Sequence, residues 1–197
     1  MGNYPSALQQ HDRVLSVYER TLPPTHPDRI CAMNMKASAL LSVMRLDESL
    51  ALFKAALRLG RRVFEEGSGV MVALEGNTAS TLSALGKNEE AAEVYERLLE
   101  AQERSPNYGP SHETTWHTRF KLGGTLVDMG KFTEAIPLLR DSLAAYDGMG
   151  LGPEHPALGI LPGLYGRALL GAGRPDEAVP LIQRSIEFTE RMHGPFH

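Results

Sequence analysis

The segment 112–117 reads HETTWH, two histidines around a glutamate and a tryptophan, the raw material of a hydrolytic zinc site. That chemistry needs its two imidazoles at i and i+4, one turn apart on one helix face. His112 and His117 are five apart, which is roughly 500° around the axis, so their rings diverge. The other histidines offer a metal site or proton relay no better. His26, His112, His155 and His197 recur at one place in a repeat, which gives them a common role in a turn. GMGLGPEHP, at 148–156, is glycine-rich, but a phosphate cradle links a strand to a helix and no strand candidate precedes it. KNEEAAEVYERLLEAQER, at 87–104, carries six Glu against three basic residues. Its Glu93–Arg97 and Glu100–Arg104 spacings suit a solvated helix face, with an acidic docking patch as the sharper reading. No nucleophile and base stand together outside the repeat. The expectation is therefore a non-enzyme with no catalytic residue, no metal and no cofactor.

Bulk properties narrow the partners. The chain has 197 residues and a formal charge of −4, with 7% aromatics. That balance makes no electrostatic case for nucleic acid or an anionic membrane. Hydrophobic content of 42% fits a folded chain. No stretch approaches the ~18 apolar residues of a membrane span, and MGNYPSALQQHDR lacks the basic start and apolar run of a signal peptide. Met-Gly with Ser6 matches a loose myristoylation pattern, but Gly2 is better explained as a repeat position. One cysteine, Cys31, precludes an intrachain disulfide and fits a reducing compartment. The expected location is cytoplasmic.

The elements that position these residues repeat. MGKFTEAIPLLRDSL from Met129 returns as AGRPDEAVPLIQRSI from Ala172. A turn residue followed five places later by a small one occurs at Gly2/Ala7, Met44/Ser49, Gly86/Ala91, Gly130/Ala135 and Gly173/Ala178. The steps are 42, 42, 44 and 43, and the histidine marker follows in steps of 86, 43 and 42, with Ser68 in the vacant slot. Each period holds two helices, expected near 4–20, 27–43, 47–64, 69–85, 89–105, 112–129, 133–147, 156–172 and 176–192. Gly86, Gly130 and Gly173 should end helices in a left-handed conformation. Thr133 and Asp176 should cap or acidify the helix starts that follow, and Pro137 and Pro180 should lie near the first turn. Ala37, Ala79, Gly123 and Gly166, with Leu40, Leu82, Leu126 and Leu169 three residues on, should meet Ser49/Phe53, Ala91/Tyr95, Ala135/Leu139 and Ala178/Ile182 as holes and knobs. The fold class is all-α, a right-handed superhelical solenoid of helix-turn-helix tetratricopeptide units. The division is a single array, with a half-repeat at 2–25 and repeats at 26–67, 68–111, 112–154 and 155–197.

A period near 42, with His-Pro opening the first helix and GKFTEA or GRPDEA opening the second, resembles the kinesin light chain type of repeat. LGPEHPALG at 151–159 and THPDRICAMNMKA at 25–37 carry the resemblance most clearly. Met44 departs from the turn glycine, the third unit lacks His-Pro, and Lys36 and Thr78 replace leucine.

Stacked helix pairs line a concave wall with the first helix of each unit. Counting from the small residue, the wall positions are Asn34, Ser38 and Leu41, then Gly76, Ser80 and Ser83, then Phe120, Gly124 and Val127, then Gly163 and Arg167. The resemblance implies paired asparagines here that bond a peptide backbone. Asn34 keeps the first of these positions and Asn77 the second, while later units carry Phe120-Lys121 and Gly163-Leu164. An extended peptide with apolar side chains is favoured over a strongly acidic one, and no Lys/Asn clamp for a terminal carboxylate stands out. The expected function is a protein-interaction scaffold. The alternative is a sensor or regulatory segment of a larger protein whose effector domain lies outside this chain. GNYPSAL opens on a second helix and HGPFH closes on a turn, so a longer array, capping by another chain, or self-association through the array ends is also expected.

Overall fold

The computed structural model describes residues 4–150 and 154–194, and every element within them is a helix. The helices are α1 (Tyr4–Thr21), α2 (Pro27–Ser42), α3 (Leu46–Gly60), α4 (Gly69–Ala84), α5 (Asn88–Arg104), α6 (Glu113–Asp128), α7 (Phe132–Gly148), α8 (Ala157–Gly171) and α9 (Pro175–His193). The all-α, repeating helix-turn-helix architecture is the expected one. Gly2, Gly152 and His197, which complete the sequence periodicity, lie outside the described residues.

Turn chemistry explains where the helices start and stop. His26 and His112 accept from the backbone N–H of Asp28 and Thr114 through Nδ1 at 3.2 and 3.1 Å, and His155 does the same for Ala157 at 3.3 Å. The recurrent histidine is thus a helix cap, which satisfies an N–H that has no intrahelical partner. Ser68 fills the slot before α4 without a side-chain cap bond. At the other end, Gly86, Gly130 and Gly173 adopt φ near +74°. The next N–H then folds back, as in Lys87 N–H to Leu82 O and Lys131 N–H to Leu126 O, both 2.9 Å. Met44 makes the same turn at φ 60°, with Arg45 N–H bonded to Leu40 O at 2.9 Å.

Three local expectations need correction. α3 stops at Gly60 rather than 64, because Arg62 and Val63 bond three residues back, to Leu59 and Gly60. Thr133 is no cap, since Lys131 holds that place without a side-chain bond; Asp176 does lie in the first turn of α9. Pro137 and Pro180 fall at the sixth residue of their helices, a full turn in, because those helices start at Phe132 and Pro175.

The contacts group the chain into two units, Met1–Leu98 and Leu99–His197. In the first, α1 packs on α2, α2 on α3 and α3 on α4. Leu15, Ile30, Met33, Ala37, Phe53, Leu57, Met71 and Leu74 form one buried cluster. Burying a side chain such as Phe53 stabilises by about 1.5–3 kcal/mol relative to leaving it exposed. In the second unit, α6 packs on α7, α7 on α8 and α8 on α9. Small residues set the helix spacing in both. The Ser49 hydroxyl donates to Ala37 O at 2.8 Å, so α3 approaches the backbone of α2 directly. A Cβ on Gly123 would stand 2.7 Å from Leu139 Cγ, and one on Gly166 would stand 2.6 Å from Ile182 Cγ1. The hole-and-knob register expected for these pairs is the one observed.

Candidate functional site

In the first unit, three of the wall residues come together. Asn77 of α4 donates through Nδ2 to Asn34 Oδ1 at 3.2 Å and to Ser38 Oγ at 3.4 Å, both on α2. Ser38 donates in turn to Asn34 O at 2.9 Å. The three side chains are half-buried. These bonds leave Asn34 Nδ2, a donor, and Asn77 Oδ1, an acceptor, unused. Leu41 is half-buried one turn along α2.

Ser80 is committed elsewhere. Its hydroxyl shares a 2.7 Å hydrogen bond with Tyr95 OH on α5. Burial pushes the Tyr95 phenol up to about 12, with the Ser80 bond acting in the opposite direction. Gly76 also turns toward α5, where an added Cβ would meet Leu98 Cδ2 at 3.7 Å. Ser83 lies 3.5 Å from Asn88 Oδ1.

In the second unit, Phe120 and Lys121 form a local pair. The Lys121 ammonium lies 5.7 Å from the Phe120 ring centroid, and burial lowers its pKa. His117 meets the same ring edge-on at 6.1 Å. Arg167 of α8 is exposed and bonds Asp128 of α6 at 3.3 Å. Gly124 leaves room for Leu164, 3.6 Å from where a Cβ would sit. Gly163 is a packing position, since a Cβ there would stand 2.8 Å from Ser185 Oγ, and Val127 is buried. His117, Tyr95 and Asp128 are the participants that wall counting missed. For Asp128 a signal exists: Asp128–Arg167 and Ser38–Asn77 are each 39 apart, one period less a helical turn.

Nothing in this arrangement resembles a reaction centre. No group of three or more His, Cys, Asp or Glu among the described residues could hold a metal ion. Among the same residues, no helix is long and apolar enough to cross a membrane. Burial raises the pKa of the half-buried Cys31 thiol, with Asp28 adding to the effect, which disfavours the nucleophilic thiolate.

A sequence profile described as tetratricopeptide repeat matches residues 28–104, 71–148 and 113–191, and a second of the same description matches 1–28. The chain belongs to the tetratricopeptide repeat family. Repeats of this fold generally mediate protein–protein interactions. No curated protein sequence matches the chain. Among solved structures, the nearly identical TPR-like repeats of a Podosopora anserina protein assigned as a kinesin light chain are similar at 20% identity, with a TM-score of 0.75. That alignment covers 98% of this chain and 90% of that one. YrrB, a TPR protein with an unusual peptide-binding site, gives 17% identity and a TM-score of 0.64 over 99% of this chain and 86% of its own. PlcR of Bacillus thuringiensis, solved with the peptide PapR7 and DNA, gives 11% and 0.71 over 96% and 67%. At these identities the likeness is one of fold.

Proposed function

We propose that this tetratricopeptide repeat chain is an interaction scaffold whose helix wall around Asn34, Ser38 and Asn77 holds an extended peptide by its backbone. The observation that carries this reading is the unspent donor on Asn34 and acceptor on Asn77, held in place by their shared hydrogen bond. A peptide unit offers the complementary carbonyl and N–H, and pre-organised side chains lose little entropy on binding it. Within the second unit, Phe120, Lys121 and Arg167 form a contact surface of their own, the first through an apolar face. Peptide binding in the names of YrrB and PlcR agrees with this use of the fold. The His-Pro openings, the 42-residue period and the likeness to the Podosopora anserina repeats support assignment to the kinesin light chain type. The chain then reads as a single array with repeats at 26–67, 68–111, 112–154 and 155–197.

Peptides selected from a random display library on the full chain provide the test. Replacing Asn34 and Asn77 together by Ala removes two hydrogen bonds of about 1 kcal/mol each. Affinity measured by calorimetry should fall roughly tenfold or more. Unchanged affinity for every selected peptide overturns the wall as the site.

A further inference from the structure

Three histidines open helices α2, α6 and α8 with the same bond. Nδ1 lies 3.2 Å from the Asp28 N–H at His26, 3.1 Å from the Thr114 N–H at His112 and 3.3 Å from the Ala157 N–H at His155. A ring nitrogen that accepts a hydrogen bond carries no proton, so the proton of each ring sits on Nε2. The fold thus uses the neutral imidazole three times. The N–H groups it holds lie in first turns, where no intrahelical carbonyl can take its place. Ser68 fills the same slot before α4 without a side-chain bond, so that helix start depends on no titratable cap.

A second proton reverses this chemistry. Imidazolium has two donors and no acceptor, so Nδ1 then meets the backbone N–H donor to donor. Its charge also lies at the positive end of the helix dipole. The unfolded chain takes up the same proton without losing a bond. It therefore binds more protons than the folded chain as pH falls, and the stability the caps contribute is complete above pH ~6.5 and declines below it.

Neighbouring groups set the size of the effect at each site. The Asp28 carboxylate, 3.8 Å from His26 Nδ1, attracts an imidazolium there and offsets part of the loss. His112 meets the Tyr108 ring edge-on at 5.1 Å, with Glu113 next in sequence and Arg119 bonded to the carbonyl of Pro110 in the same turn. His155 follows Glu154 and faces the Tyr146 ring of α7 at 6.2 Å, while the Tyr146 hydroxyl lies 3.5 Å from His117. The smallest response is thus expected at His26.

We propose that His26, His112 and His155 form an acid-sensitive latch, in which proton uptake at Nδ1 releases the first turns of α2, α6 and α8. Helix α2 carries Asn34 and Ser38, and α6 carries Phe120 and Lys121, so acid loosens helices that line the wall from their starts inward. The latch stands whether or not the wall holds a peptide.

Amide hydrogen exchange of the full chain, read by NMR and corrected for the intrinsic rate, is the local test. Between about pH 7.5 and about pH 5.5, protection of the Thr114 and Ala157 amides should fall roughly threefold or more. The Val70 amide, in the first turn of α4, should not follow. Asparagine caps a helix without titrating in this range. The triple variant His26→Asn, His112→Asn, His155→Asn should therefore match the natural chain in urea midpoint at the higher pH and lose less of it at the lower. His112→Asn alone should abolish the acid response of the Thr114 amide and leave that of Ala157. His117 is present in every variant, so its titration cancels from the comparison. The proposal is overturned if Thr114 and Ala157 are as protected at the lower pH as at the higher. It is equally overturned if the asparagine variants lose as much as the natural chain.

Discussion

At φ 60°, Met44 holds an L-residue in the left-handed region where Gly86, Gly130 and Gly173 sit without a Cβ to clash. The conformation costs roughly 1–2 kcal/mol, and the side chain is 70% exposed, so little packing offsets it. Met44→Gly relieves the strain but adds about 0.4–1 kcal/mol of chain entropy to the unfolded state. The expected net gain is about 0.5–1 kcal/mol, read as a higher urea midpoint with an unchanged slope; a lower midpoint would contradict the turn assignment. Tyr95 governs stability at the alkaline end. Its phenol is 2% exposed and its pKa is pushed up to about 12, above the value of about 10 in the unfolded chain. The folded state therefore holds its proton longer, so the contribution is complete below pH ~10 and is lost as pH rises toward 12. Chemical denaturation across that window should show a decline that Tyr95→Phe flattens, at the cost of the Ser80 hydrogen bond at neutral pH.

Helix starts follow a hierarchy that composition alone would misorder. Serine is ordinarily among the best caps, yet Ser68 makes no cap bond and its buried hydroxyl has no partner among the described residues. His112, by contrast, takes the Thr114 N–H. Replacing His112 by Ala should cost about 0.5–2 kcal/mol, while Ser68→Ala should be near neutral, because it removes an unsatisfied group. Equal losses in thermal melts would refute the assignment. Element boundaries were legible because Gly and His punctuate a strict period. The destination of Ser80 was not. One residue turns a side chain by about 100° around a helix, so a serine at the edge of the wall can face either a ligand or its own neighbouring helix. Only the position of Tyr95 decides between them. The Asn34–Asn77 pair was legible because both residues hold adjacent wall positions in successive units, and the Asp128–Arg167 bridge shares its spacing of 39 with Ser38–Asn77.

At the scale of the whole molecule, stability should behave as a sum over repeats. Met44 lies in the unit Met1–Leu98 and is largely exposed, whereas Gly123 lies in the unit Leu99–His197 against Leu139. Gly123→Leu should overpack Leu139 and cost about 1–3 kcal/mol. Combined with Met44→Gly, the two effects should add within about 0.5 kcal/mol. A larger deviation in the double variant, measured by denaturant titration of both singles and the double, would reveal coupling that a repeat array does not predict. The array pattern was visible in the sequence from end to end, because each unit restates one set of small and large residues. The occupant of each surface was not visible, since exposure depends on which helix lies alongside.

The pairing of holes and knobs also restricts how this chain can change over evolutionary time. Gly123 and Gly166 face the branched Leu139 and Ile182, sixteen residues on, and Ala37 and Ala79 stand at the same interval before Phe53 and Tyr95. A methyl group gained at Gly123 meets Leu139 at 2.7 Å, so it becomes tolerable only after the partner has changed shape. Such pairs are epistatic: the order of substitutions is constrained, and the two members are inherited together or lost together.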